Sequence, residues 1–530
     1  MVAGRTAIDR RTFLHGALAA AGALTTAWPA RAEGTPGAVV TTTQGKVRGL
    51  LVDRVHAFKH VPYGASTAGP RRFLPPIETQ PWTGVRDAFE FGPRSPQARS
   101  TFVPEWMPLT GTEPMSEDCL HLNVWTPQPA SGGRRPVMVW LHGGGYTGGS
   151  PAAKPYEGAS LARSRDVVVV SITHRLNAFG FLYLKEIGGD RYRGASNVCL
   201  KDIVLGLQWV RDNIAAFGGD PGNVTIFGQS GGAGKVSTLL GMPAGRGLYH
   251  RAVAQSGSAV TSMTASVATD QAEKFLARVG VKRDALDALQ TLPMEQLIAG
   301  LQGFQTSPVV DGASLPQHVF DPVATAISAN VPLLIGSTET EVTWSVNTDY
   351  TPIETDEALR ARIARALRTD ADAAGKVMEI YKAGRPNASR LDLALIVETD
   401  VSSFRKGTDL EAERKAAAGQ APVYMYRFQW YSPVSGGRLR AMHCMEIPFV
   451  FNTLDTAQSI TGDGADRRPL SDAMSGAWAA FAHTGNPSHP GVPRWEPFTT
   501  SARHTMMFGK EIRSAVDPYR EERLATRSRA

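Results

Sequence analysis

Ser230 stands in Gly228-Gln229-Ser230-Gly231-Gly232, directly after Val224-Thr225-Ile226-Phe227 and before the helix-like residues 233–240. The spacing reads as a short strand, a sharp turn and a helix, an arrangement that lifts a serine hydroxyl into a cleft. Strand and helix meet so closely at such a turn that side chains two positions either side would collide, and glycine at 228 and 232 removes them. The following helix turns its positive end toward the hydroxyl, where negative charge forms during acyl transfer. A glycine-flanked serine alone is a weak signal in a chain with 53 glycines; its partners decide the matter.

The first partner is His142-Gly143-Gly144-Gly145-Tyr146, after the apolar run Pro136-Val137-Met138-Val139-Trp140-Leu141. That run has the continuous hydrophobicity of a buried parallel strand. A glycine triplet leaves backbone N–H groups uncovered, free to hold the oxygen that turns negative when an ester carbonyl is attacked. The serine also needs a base, and the base an orienting acid, in the chain order Ser, acid, His. After Ser230 come His250, His318, His443, His483, His489 and His504. His443 is the best placed, in a loop after the strand-like Val423-Tyr424-Met425-Tyr426-Arg427-Phe428. The acid should follow the strand Val331-Pro332-Leu333-Leu334-Ile335-Gly336, where both Glu339 and Glu341 occur, and spacing alone leaves the two open.

These residues resemble the type B carboxylesterase family of α/β-hydrolases, which includes the cholinesterases, over most of the chain after about residue 40. Ser116-Glu117-Asp118-Cys119-Leu120-His121-Leu122-Asn123-Val124-Trp125-Thr126-Pro127 looks like that family's second signature. The stretch 200–230, with Phe217-Gly218-Gly219-Asp220-Pro221, is a similar match, as are Phe58-Lys59-His60-Val61-Pro62-Tyr63 and Phe481-Ala482-His483-Thr484-Gly485-Asn486-Pro487. The resemblance implies an α/β fold: a central, mostly parallel twisted sheet flanked by helices, with helical insertions forming a lid or gorge wall. It implies Ser230 as nucleophile, His443 as general base and Glu341 as the acid, because the family's acid lies five residues after the glycine matching Gly336. It implies oxyanion donors at Gly144, Gly145 and Gly231. The expected activity is hydrolysis of small-molecule carboxylic esters through an acyl-enzyme, with no cofactor and no metal. Carbamates or amides would use the same residues. A non-catalytic binding protein of this fold would lack part of the set, and here serine, acid, histidine and glycine triplet are all present.

The chain departs from the family pattern in places. Thr340 and Val342 flank the acid, Cys444 follows the histidine where glycine is usual, and Gln229 precedes the serine where glutamate is common. Cholinesterase-type members carry a tryptophan ten residues before the cysteine matching Cys119; here that position is Leu109, with Trp106 nearby. A quaternary ammonium is held by an aromatic face and negative charge, so the departure argues against choline esters. Tyr146, Phe179, Phe181 and Trp344 are candidate wall residues.

The first 32 residues read as an export signal. Asp9-Arg10-Arg11-Thr12-Phe13-Leu14 resembles a twin-arginine motif, residues 17–24 are mildly apolar, and Ala30-Arg31-Ala32 offers a cleavage site. This predicts export to a bacterial periplasm or beyond. The segment carries four arginines against Asp9, so removing it takes three of the chain's seven net positive charges. The remainder gives no reason to invoke nucleic acid, and no stretch is apolar and long enough for stable membrane insertion. Three cysteines cannot all pair. Relatives often join the Cys119 position to an upstream cysteine, matched here by Ser95, so Cys119 is expected as a buried thiol. Whether Cys199 and Cys444 meet cannot be read from spacing. Residues 33–530 are expected as one catalytic domain, since the motifs of one site run from 142 to 443. Residues 260–330 and 343–420 read as mostly helical excursions. Leu200, Ile203, Val204, Leu207, Val210 and Ile214 recur at helical spacing and should pack one helix face on the sheet.

Overall fold

Along the run Arg135–Leu141, Val137, Val139 and Leu141 enter one apolar core while Met138 and Trp140 enter another. The same division follows on Gly219–Gln229, with Val224 and Ile226 on one side and Phe227 on the other. Successive side chains of a strand leave opposite faces. Both faces are covered here, and that is why these strands are apolar throughout rather than alternating.

A computed structural model of the chain describes residues 34–99, 102–130 and 134–527. The leader expected over residues 1–32 lies outside the described residues. In chain order the strands are β1 (Thr35–Thr41), β2 (Lys46–Val52), β3 (Val55–Pro62), β4 (Val85–Asp87), β5 (His121–Thr126), β6 (Arg135–Leu141), β7 (Val168–Ile172), β8 (Gly219–Gln229), β9 (Arg251–Gln255), β10 (Met263–Thr264), β11 (Val309–Val310), β12 (Leu333–Thr338), β13 (Val423–Phe428), β14 (Thr505–Phe508) and β15 (Ile512–Ala515). Among the described residues one sheet runs β1-β2-β3-β5-β7-β6-β8-β9-β12-β13-β14-β15, with β4 beside β2. It is parallel from β7 to β14 and antiparallel at both ends. The short pair β10 and β11 stands apart.

One face of the sheet is covered by the helices Val198–Asn213 and Gly231–Leu239, through Leu200, Ile203, Leu207, Val210, Ala233 and Val236. The periodicity expected between 200 and 210 is therefore a buried helix face. The other face is covered by Arg467–Thr484 and the aromatic cluster of Trp140, Phe227 and Phe451, with ring centroids 4.9 to 5.4 Å apart. From Thr35 onward the described chain packs as one unit.

The second excursion is helical as expected, in Asp356–Leu367, Ala371–Gly384, Arg390–Asp400 and Ser403–Ala418. The first is helical only to Ala299, and between there and β12 the chain is largely irregular. Pro308, Pro316 and Pro322 fall in that part, and each removes a backbone donor that a helix would need. Among the described residues no helix is long and apolar enough to cross a membrane, and no group of three or more His, Cys, Asp or Glu has metal-holding geometry.

Candidate functional site

Ser230 occupies the single-residue turn between the end of β8 and the helix Gly231–Leu239, with φ 56° and ψ −126°. A serine held there is strained by about 1–3 kcal/mol and persists only when its surroundings fix it. Its N–H donates to Gln255 O at 2.8 Å and its carbonyl accepts from Gly234 N at 3.0 Å. The flanking glycines meet the predicted crowding: a Cβ on Gly232 would lie 1.9 Å from Leu141 O, and one on Gly228 would lie 2.6 Å from the Gly232 carbonyl carbon.

The glycine-rich loop leaves β6 at Leu141 and bends back through Gly144 and Gly145, at φ 94° and 63°, conformations that favour glycine. Gly144, Gly145 and Gly231 line the same cavity as Ser230. Beneath the loop is a residue that sequence reasoning passed over. Lys235, fully buried on the helix after Ser230, donates to Gly145 O at 2.9 Å and His142 O at 3.2 Å. Burial pulls its pKa down to about 8. Its ammonium ties two carbonyls of the glycine-rich loop to the helix that follows Ser230.

His443 follows β13 and Glu341 follows β12. The parallel pairing of those strands, in register from Leu333 with Val423 to Thr338 with Phe428, brings the two loops together. His443 Nδ1 lies 2.5 Å from Glu341 Oε2, with Glu341 at 0 % exposure. Burial pushes the Glu341 carboxyl up, but His443, Ser256 and the Thr338 N–H outweigh it and hold the group below its ordinary value. Glu339, the other carboxylate that spacing allowed, turns elsewhere and pairs with Arg385 and Gln429. The imidazole packs against Phe404, 4.3 Å between centroids, and Trp344, 5.9 Å.

Ser230 and His443 line one cavity of about 950 Å³. No hydrogen bond joins the serine hydroxyl to the ring among the described residues. The Gln229 amide nitrogen instead lies 3.4 and 3.2 Å from Nδ1 and Nε2, nearly equidistant, so it packs across the ring rather than in line with either nitrogen. Catalytic hydrogen bonds are often long in unliganded enzymes and tighten with substrate. Gln229 Oε1 in turn accepts from Cys444 Sγ at 3.2 Å. Two departures from the family pattern thus contact each other beside the histidine. Cys444 sits at φ 76°, where glycine is favoured.

Of the candidate wall residues, Tyr146 and Trp344 line the cavity and Phe179 and Phe181 do not. Phe179 stacks on Phe73 in a separate core, and Phe181 packs edge-on against the back of Tyr146. Trp106 lines the cavity whereas Leu109 is buried in the core. The aromatic face absent at position 109 is therefore supplied from three residues upstream. Phe102 and Phe404 complete it, and the charged groups lining it are Arg99, Lys406 and Asp321. Asp321 is paired with Arg414 at 2.8 Å. Cys119, Cys199 and Cys444 are all free thiols, and Ser95 lies beside Cys119.

A second carboxyl lies behind Glu341. Glu446 is fully buried, with Gln255 Nε2 and Ser256 Oγ 3.4 and 3.5 Å from its Oε1. Burial, with the Glu341 charge second, pushes its pKa up to about 8. A charged residue inside Met445-Glu446-Ile447-Pro448-Phe449 was the available sequence signal. Between its ordinary value of 4.5 and about 8, the unfolded chain releases this proton and the folded chain keeps it. The folded state then binds more protons, so this group's contribution to stability falls as pH rises across that window. Glu446→Gln keeps the shape without the proton. Its thermal midpoint should fall less steeply than that of the parent between about pH 5 and about pH 8; parallel curves would show that Glu446 ionises normally.

The model of the carboxylesterase family matches residues 36–527. The para-nitrobenzyl esterase of Bacillus subtilis is 34% identical over 501 residues, covering 92% of this chain and 97% of that protein. A carboxylesterase structure from Geobacillus stearothermophilus superposes with a TM-score of 0.78 at 36% identity, over 92% of this chain and 99% of that one. An esterase from Clostridium hathewayi, described as able to hydrolyse aliphatic aromatic polyesters, gives a TM-score of 0.80 at 30% identity, over 93% and 98%. With its α/β-hydrolase fold and these matches along nearly its whole length, the chain belongs to the carboxylesterase family and is a carboxylic-ester hydrolase.

Proposed function

We propose that the ester is cleaved by a Ser230–His443–Glu341 triad and that the preferred substrates are neutral esters with bulky apolar or aryl groups. His443, closing on the hydroxyl as substrate binds, takes the Ser230 proton while the oxygen attacks the carbonyl carbon. The oxyanion is held by the N–H groups of Gly144, Gly145 and Gly231. Collapse breaks the ester C–O bond, and His443 returns the proton to the departing alcohol. Water, deprotonated by His443, then attacks the acyl-enzyme and releases the acid and Ser230. Glu341 fixes the proton on Nδ1, leaving Nε2 as the base, and stabilises the imidazolium that forms.

The observation that carries this reading is the 2.5 Å imidazole–carboxylate contact on the cavity that also holds Ser230. Substrate preference rests on the lining. Phe102, Trp106, Tyr146, Trp344 and Phe404 offer apolar faces, and Arg99 and Lys406 oppose a cationic alcohol group. The polyester activity of the Clostridium relative accords with a cavity of this size. A fluorophosphonate should label one residue per chain, in the peptide containing Ser230, and block ester turnover. Neutral aryl esters should exceed choline esters in kcat/KM by about 100-fold. Labelling elsewhere, or equal turnover of the two ester classes, would overturn the respective half of the proposal.

A further inference from the structure

The helix Ser403–Ala418 forms a wall common to two cavities, since Lys406 and Leu410 line both the catalytic cavity and a smaller one of about 180 Å³. The smaller cavity is closed by Arg405, Arg427 of β13 and the C-terminal helix Arg520–Arg527. It has no part in the chemistry described above, yet it gathers five cationic side chains against two carboxylates, Asp400 and Asp409. Two of the cations are already paired outside it, Arg523 with Asp517 at 2.8 Å and Arg527 with Glu413. Arg405, Lys406 and Arg427 are left facing the two carboxylates.

Arg427 is the anomaly. It is only 8 % exposed, yet among the described residues its Nε is a buried donor without a hydrogen-bond partner and no carboxylate lies within 4.0 Å of its guanidinium, which stands 5.3 Å from the Tyr519 ring. Arg405, 3 % exposed, spends Nη2 on Thr338 O at 2.7 Å. Its Nε lies 3.3 Å from Asp400 Oδ1 without hydrogen-bond alignment, and its Nη1 has no partner. Two buried guanidinium groups with N–H donors unspent are costly unless something anionic completes them. Water would satisfy donors but would not neutralise charge. The fork geometry of guanidinium suits an oxyanion, and the cavity holds one of phosphate size.

We propose that this cavity binds a single small oxyanion of phosphate type, held between Arg405 and Arg427. The site would be wired to the triad. Arg405 holds the Thr338 carbonyl, the Thr338 N–H donates to Glu341 Oε1 at 2.7 Å, and Glu341 holds His443. An anion there would keep Arg405 from competing for other acceptors and so fix the end of β12 from which the acid projects.

Equilibrium dialysis of the full chain against radiolabelled inorganic phosphate should show one phosphate taken up per chain below about 10 mM. At matched ionic strength, replacing chloride by phosphate should raise the thermal midpoint by about 2 °C. Arg427→Met should abolish both the uptake and the rise. Absence of stoichiometric uptake by the parent protein, or an equal midpoint rise in the variant, would overturn the proposal. If Arg427→Met does not fold, the dialysis of the parent decides alone, and neither readout depends on how the ester is cleaved.

Discussion

Ser230→Ala is expected to lower kcat for a neutral aryl ester by about 10⁶-fold, with circular dichroism and thermal midpoint close to those of the parent. The size follows from the division of labour proposed for the site. Without the hydroxyl no acyl-enzyme forms, and His443 and Glu341 have no proton to move. The N–H groups of Gly144, Gly145 and Gly231 would still bind the carbonyl and leave a residual rate above that in water. The fold should tolerate the change because Ser230 is fixed through its backbone, by Gln255 O and Gly234 N, and its side chain makes no hydrogen bond among the described residues. Fluorophosphonate labelling should vanish in parallel. Ester turnover within 100-fold of the parent, in protein free of contaminating esterase, would remove Ser230 from the mechanism.

The parts of the site that could be read from the chain are those fixed by backbone geometry. Gly228 and Gly232 are demanded by a turn in which Leu141 O and the Gly232 backbone come within contact of where their side chains would be. Such constraints act between neighbours in sequence and leave a spacing to read. The same holds for the apolar stretches within β6, β8, β12 and β13, which both covered faces of the sheet require. What stayed hidden depends on contacts between distant segments. Lys235 falls on a helix whose glycine and alanine neighbours carry no hint of charge, and its partners are carbonyls of the loop some 90 positions earlier. Arg427 interrupts an otherwise apolar strand, and nothing local says whether its charge is met.

The departures Gln229 and Cys444 show the same limit from the other side. Read singly, each is a family position with the wrong residue. Folded, the amide oxygen of one accepts from the thiol of the other at 3.2 Å, and both stand beside His443. A thiol at φ 76° costs some strain that glycine would avoid. Trp106 corrects the sequence argument in another way. Its distance from Cys119 does not fit the spacing expected of a cholinesterase-type tryptophan, yet its ring reaches the cavity. The case against choline esters therefore rests on the charges of Arg99 and Lys406 rather than on a missing aromatic face.

The choice between two carboxylates two residues apart yields the second large effect. Glu341→Gln should lower kcat/KM by about 10⁴-fold, whereas Glu339→Gln should lower the thermal midpoint and leave kcat within a few-fold. At 341 an amide presents either an oxygen without charge or an N–H that pushes the Nδ1 proton to Nε2, the nitrogen that must stay bare to accept from Ser230. Either outcome weakens the base and leaves the imidazolium without its buried counter-charge. At 339 the carboxylate meets Arg385, whose other partner is Glu522. Losing it unbalances a buried charge cluster without touching His443. Measuring kcat/KM and thermal midpoints for both variants separates the roles, because one substitution strikes rate and the other strikes stability. The reverse pattern, with Glu339→Gln abolishing turnover and Glu341→Gln sparing it, would mean that the carboxylate seen 2.5 Å from the imidazole is not the one that works with it.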